Sequence, residues 1–394
     1  MKGKLYPNLC HDENTCCGCT VCSNVCPVDA ISFKYNNEGF LYPNVNYDKC
    51  IGCFKCEKIC AYKKDLSEGI VCDKNEVYAL KNTNKDVIEK SSSGGLFSAL
   101  SDLYIENGDF IASCIYNKHN HAVNFEIYND KIKRDLARGS KYIQAEIGTG
   151  FKTLLEWMNK NPEKKILIVG TGCQIAGLDK LLKDVNKRDR ACLVDLVCHG
   201  APSSLLWKKY ASYLEKKYMS NIDEVYFKDK TNGWENPSTF VIMNGKKISI
   251  KPYADWFYKE WSIRKSCYNC PYTQINRNSD ITIGDYWGIN NVIPEFYDKM
   301  GVSLAIVHTE LGNEIFNSIK PKIEYRKSNE TECLQPRLVS AAKEPKDRQQ
   351  FWDDIYTKGF KYCEKHYKEK QQSVFHMIKM KIKQKIKITI KGLI

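Results

Sequence analysis

At 394 residues the chain exceeds one compact core and divides into two or three domains, with enough apolar residues to bury a sizeable interior. Nineteen cysteines are too many for inert packing, and disulfide scaffolds of that kind are short secreted chains, so the thiols read as reduced metal ligands in a cytoplasmic protein. Much of the +13 formal charge sits after Gln371, where Lys379, Lys381, Lys383, Lys385, Lys387 and Lys391 occur without an acidic residue or interleaved aromatics, which argues against a nucleic-acid-binding face.

In chain order, the start Met1 to Asn8 lacks the apolar core of a signal peptide, and no stretch approaches the roughly 18 apolar residues of a membrane span. Cys16, Cys19, Cys22 and Cys26 then follow C-x2-C-x2-C-x3-C, with Pro27 next, and Cys50, Cys53, Cys56 and Cys60 repeat the spacing. This is the run of bacterial two-cluster ferredoxins, in which the fourth cysteine of each run ligates the other 4Fe–4S cluster. One cluster would use Cys16, Cys19, Cys22 and Cys60, the other Cys50, Cys53, Cys56 and Cys26. Three cysteines on a tight loop wrap three corners of a cubane, and Gly18 and Gly52 let the backbone close around it. Zinc also accepts C-x2-C but takes four ligands as two separated pairs, which this doubled spacing suits poorly. Cys10 and Cys17 fall outside the pattern and are left as non-ligands.

From about Val77 to Lys370 the pattern is that of an α/β domain. The runs Phe110 to Tyr116 and Ala122 to Tyr128 alternate around a polar turn and predict a β-hairpin. Ile166 to Val169 and Cys192 to Val197 are apolar, β-branched strands, each followed by a helical stretch, which predicts parallel strands with helical crossovers. Cys173 and Cys198 lie just past these strands, at the sheet edge where α/β folds place ligands. With the pair Cys267 and Cys270 they could bind a third cubane; alternatively they are small buried residues and only the pair is special. Ser91 to Gly95, opening the helical run Leu96 to Tyr104, suits either a phosphate or a plain N-cap. Lys141 could meet a pyrophosphate or lie on the surface, and Gly284-Asp285 could line a site or end a strand. His199 could donate a proton or hydrogen-bond to backbone. Cys72, Cys114, Cys192, Cys333 and Cys363 match nothing and read as structural. The Lys379–Lys387 stretch alternates lysine with isoleucine; it fits a solubilising tail or adsorption to an anionic membrane surface.

Six motifs occur in register: Ser92-Ser93-Gly94-Gly95, Gly139 to Gln144, Gly170 to Gln174 with Ala176-Gly177-Leu178, Asp195 to Gly200, Cys267 to Cys270, and Asp280 to Gly288. Together they resemble the coenzyme F(420) hydrogenase/dehydrogenase beta-subunit family, here with a ferredoxin domain in front. The resemblance reaches about residue 360 and departs at Gly172, where the family usually has proline. It implies an α+β chain: a two-cluster ferredoxin-type domain over residues 1–70, an α/β flavin-binding domain over 77–370, and the basic tail over 371–394. It also implies FAD bound near Ser92, Ser93, Gly94, Gly95, Ser140, Lys141, Tyr142, Gln144, Gly284 and Asp285, and it favours a third cluster on Cys173, Cys198, Cys267 and Cys270. The expected function is a flavin and iron–sulfur oxidoreductase exchanging electrons with a partner protein or a small-molecule coenzyme. The alternatives are an electron-carrier subunit without its own substrate and a cluster-based regulator without flavin.

Overall fold

The computed structural model describes residues 5–9, 12–62 and 75–368. The basic tail, Cys10 and Cys72 lie outside the described residues. The N-terminal segment contains one hairpin, β1 (Ile31–Tyr35) against β2 (Leu41–Val45), flanked by two one-turn helices, Val21–Asn24 and Lys55–Lys58. The two cysteine loops precede these helices.

The rest of the chain is built on an eight-stranded mixed sheet. Its strands are β3 (Glu76–Asn82), β4 (Phe110–Asn117), β5 (Ala122–Tyr128), β6 (Ile166–Thr171), β7 (Ala191–Leu196), β11 (Ile281–Asp285), β12 (Ser303–Val307) and β13 (Ile323–Ser328). A separate three-stranded sheet holds β8 (Glu224–Asp229), β9 (Ser238–Met243) and β10 (Lys246–Ser249). The large sheet runs in the order β13-β3-β12-β11-β7-β6-β4-β5, with β4, β6, β7 and β11 mutually parallel in its centre. Ile166 to Val169 and Ala191 to Val194 are buried, as central parallel strands covered on both faces must be.

The expected hairpin is β4–β5, and the two expected apolar strands are β6 and β7, joined by the helix Gly172–Asp184. That helix starts where it does because of a capping box: the Thr171 side chain accepts from the backbone three residues on, while the Gln174 side chain accepts from the Thr171 N–H. In the β6–β7 register Thr171 stands opposite Leu196, so Cys173 and Cys198 each follow their strand by two residues at the same sheet edge.

The N-terminal segment shares its core with the sheet domain. Val21 and Ile59, beside the cysteine loops, pack with Phe151, Leu178 and Leu182. Phe40 at the hairpin turn packs with Trp207, Trp256 and Trp352. Arg348, buried in the C-terminal helix Arg348–Thr357, grips both carboxylate oxygens of Glu38. That bidentate fork fixes the hairpin in orientation as well as in place.

Candidate functional site

The two cysteine loops share one backbone path. Gly18 and Thr20 have φ of 68° and 63°, and Gly52 and Phe54 have 72° and 57°. Left-handed residues alternating with ordinary ones turn successive N–H groups toward one side, a concavity that suits an anionic group. Holding Thr20 and Phe54 there costs each about 1–2 kcal/mol relative to a right-handed conformation, so another interaction must offset it. A cluster dressed in thiolates is such an interaction.

The Cys22 thiol is pushed up first by burial and then by the fields of Cys19, Cys16, Cys60 and Cys56, so thiols of the second run lie near the first loop. Conversely, Cys56, pushed up to about 11 mainly by burial, feels Cys26 and Cys53. The Ala30 N–H points at the Cys26 sulfur at 3.3 Å, the kind of hydrogen bond that stabilises a bound thiolate.

Four further thiols meet at the edge of the large sheet. Burial pushes Cys198 up to about 12 and Cys270 to about 11; Cys173 acts on both, and Cys267 feels Cys198, Cys270 and Cys173. Cys173 behaves differently. A hydrogen bond with Cys17, together with one from Thr171, draws it down, while Cys17 is pushed up by that hydrogen bond, by Cys19 and by burial. The Ala201 N–H lies 3.4 Å from the Cys267 sulfur. No group of three His, Cys, Asp or Glu side chains among the described residues converges tightly enough to hold a single metal ion; a cubane instead spreads four thiolates over four iron corners.

Cys17 therefore stands between the first loop and the four-thiol group. The helix Gly172–Asp184 is pressed onto that loop. A Cβ at Gly177 would lie 2.9 Å from Val21 and 3.4 Å from the Cys19 sulfur. Lys180 donates to the Cys60 carbonyl at 3.0 Å, and the Tyr272 hydroxyl to the Ala61 carbonyl at 2.8 Å.

A cavity of about 1050 Å³ adjoins the thiols; its lining includes Cys17, Cys173 and Cys198 together with Ser92, Ser93, Gly95, Ser140, Lys141, Tyr142, Gln144, Gly284 and Asp285. That volume suits a large cofactor. The Ser92 hydroxyl accepts from the Ser140 N–H at 2.8 Å, tying the two motifs together. Gly94 is pinned behind the loop, where a Cβ would overlap the Leu80 carbonyl and come within 2.8 Å of the Ser303 nitrogen. Gly95, at φ 88°, caps the helix Leu96–Glu106 without a side-chain acceptor. Beneath the loop, the buried Lys230 amine donates to the carbonyls of Ile88 at 2.7 Å and Ser93 at 3.1 Å.

Several predicted residues have partners of their own. Lys141 donates to the carbonyls of Ala137, Arg138 and Gly139, and burial lowers it to about 8. Asp285 pairs with Lys228 at 2.5 Å and accepts from the Trp234 indole at 2.9 Å. Gln144 donates to the Cys17 carbonyl at 2.8 Å. The Tyr142 and Tyr258 hydroxyls share a hydrogen bond of 2.6 Å, and Ser93 donates to the Val302 carbonyl at 2.7 Å. His199 lines the cavity, held down to about 4 chiefly by burial; its Nε2 and the Arg337 Nε are buried without a hydrogen-bond partner. The Nε2 of this neutral imidazole lies 3.9 Å from the Glu260 carboxylate, which Arg337 also grips, so a polar pair borders the cavity. Arg264, Lys230 and Tyr272 carry no spacing signature, so sequence reasoning had no handle on them.

No helix among the described residues is long and apolar enough to cross a membrane. Residues 15–64 match the 4Fe-4S dicluster domain model, and residues 163–332 match the model of the C terminus of the coenzyme F(420) hydrogenase/dehydrogenase beta subunit. No curated protein sequence matches the chain. Among solved structures, a chain of the F(420)-reducing NiFe hydrogenase complex from Methanosarcina barkeri is 19% identical, covering 67% of this chain and 84% of its own, with a TM-score of 0.45. The chain thus carries a 4Fe–4S dicluster domain followed by a region that matches the C-terminal domain of the coenzyme F(420) hydrogenase/dehydrogenase beta subunit, which supports an oxidoreductase role.

Proposed function

We propose that this protein is a cytoplasmic iron–sulfur flavoprotein that passes electrons between FAD in the cavity and three 4Fe–4S clusters. Residues 1–70 act as the dicluster module and residues 77–370 as the flavin and third-cluster domain. The observation that carries the reading is the shared wall: Cys173 and Cys198 line the same cavity as the Ser92 to Gly95 loop. The loop and Ser140 would hold the pyrophosphate, with the buried Lys230 amine adding positive charge behind the loop. Tyr142, Gln144 and Asp285 would border the ring system, and His199, neutral at pH 7, would offer a hydrogen-bonding nitrogen there rather than the proton donor expected of it. Bound flavin supplies hydride exchange on one side and single-electron release on the other. From Cys173 the path would continue through Cys17 to the cluster on Cys16, Cys19, Cys22 and Cys60, then to the one on Cys50, Cys53, Cys56 and Cys26.

A second reading, an electron carrier that docks to a partner redox enzyme, is favoured by the second loop, where Cys53 is exposed and Ile51 is 53% exposed. Anaerobic purification separates the readings. About twelve irons per chain, four for each cubane, with one acid-released FAD bleached by an organic donor alone, supports the enzyme. Bleaching only through a partner protein supports the carrier, and about eight irons without flavin would remove the third cluster and the cavity assignment.

A further inference from the structure

Two arginines are buried beside the inner thiols, and they differ in their counter-ions. Arg277 has one: its Nη1 lies 2.8 Å from the buried Asp195 carboxylate. Arg264, fully buried, forms no ion pair with a carboxylate among the described residues. Its Nε donates to the Cys16 carbonyl, Nη1 to the Gln144 amide oxygen at 3.3 Å, and Nη2 to the Leu41 carbonyl at 2.8 Å and the Cys16 sulfur at 3.7 Å. Its plane covers the Tyr42 ring at 4.0 Å. Glu13, the carboxylate within its field, is already bound by Lys265 at 3.0 Å and Asn36 at 2.8 Å. Gly18 makes room for the guanidinium, since a Cβ there would lie 2.8 Å from Nη1.

A buried cation without a carboxylate is costly unless another anion answers it. The groups facing this one are the Cys16 sulfur first, then the Tyr42 side chain, then the Cys17 and Cys267 sulfurs. A cubane with four thiolates is net negative and gains one more negative charge on reduction. We propose that Arg264 is the counter-charge of the cluster on Cys16, Cys19, Cys22 and Cys60, a positioning residue that holds this cluster's potential above the value its ligands alone would set. The inference rests on the cluster reading of the first cysteine run. A fixed positive charge stabilises the reduced form more than the oxidised one, so the inner cluster accepts electrons more readily than it would beside a neutral side chain. The two cysteine runs share one ligand spacing, and the surroundings are what separate their potentials.

The test is EPR-monitored potentiometric titration of the anaerobic full chain as wild type, Arg264→Gln and Arg264→Lys, with iron counted in each. Iron at the wild-type level in Arg264→Gln keeps the cluster reading intact whatever the potentials do. The expected result is a lowered midpoint for the inner cluster, a smaller drop for a third cluster near Cys267, an unmoved cluster on the Cys50 run, and recovery toward wild type in Arg264→Lys. Unchanged midpoints, or an equal shift of all clusters, would overturn the proposal. If Arg264→Gln loses iron, the lysine variant decides: clusters at near-wild-type potentials support the charge, while loss of iron there too assigns Arg264 to packing alone.

Discussion

The two cysteine loops have the same ligand spacing, the same pair of left-handed residues and the same one-turn helix, yet they sit in opposite surroundings. The first is enclosed: Arg264 lies against Cys16, the helix Gly172–Asp184 crosses at Gly177, and Cys17 reaches the Cys173 thiol. The second reaches solvent at one corner, where Cys53 and Ile51 are exposed while Cys50 and Cys56 stay buried. One duplicated motif thus occurs once packed against the sheet domain and once nearer solvent; in the proposed electron path these are the inner and outer stations. Ligand spacing determines that a cluster can form; what packs around it determines where its electrons can go.

That contrast can be broken at the hairpin that presses the inner loop into the fold. Glu38→Ala removes the bidentate partner of the buried Arg348 guanidinium and leaves it only the half-exposed Glu344 at 4.0 Å, and losing one partner of a buried ion pair costs up to about 3–5 kcal/mol. Urea unfolding of the anaerobic holoprotein should show that drop. A loss below about 1 kcal/mol, the worth of an ordinary surface pair, would mean that the hairpin is held by its apolar contacts alone.

Gly177→Ala probes the inner loop itself. Helix propensity favours alanine by about 1 kcal/mol, but the added methyl meets the stiff Val21 side chain at 2.9 Å, and overpacking of this kind costs about 1–3 kcal/mol. The expected net effect is a destabilisation of about 1 kcal/mol and faster iron loss from the inner cluster only; a gain in stability would show that the helix has room to move away. The outer loop should respond least. Ile51→Ala should stay within about 0.5 kcal/mol of wild type, as exposed substitutions do. In air the signal of the cluster on Cys50, Cys53, Cys56 and Cys26 should decay before the other, because Cys53 is open to solvent. Decay of the inner cluster first would reverse the assignment of the two stations.

Much of the scaffold was legible in advance because local patterns carried it. The β4–β5 hairpin and the β6 and β7 strands follow from alternation and apolar runs, and the helix after β6 begins at a Thr171–Gln174 capping box. The strands β3, β12 and β13 gave no comparable signal, since their place in the sheet rests on pairings between segments some 200 or more residues apart, such as Leu80 with Ser303. The same holds within the site. The spacing of cysteines marked the thiols, and the Ser-Gly loop marked one wall of the cavity, but Lys141, Asp285 and Gln144 took protein partners that no spacing reveals.

By itself, then, the amino-acid order determined which side chains could ligate iron, because a cubane needs three thiols on one tight loop and that requirement is local. The doubled run already assigned Cys60 to the first cluster; only the tertiary structure decided that Cys17 lies against Cys173 and that Arg264 is buried beside Cys16. Those relations depend on long-range packing of the helix Gly172–Asp184 and of the segment before Cys267 onto the N-terminal loop. Burial and charge proximity are properties of what surrounds a residue, not of its neighbours along the chain.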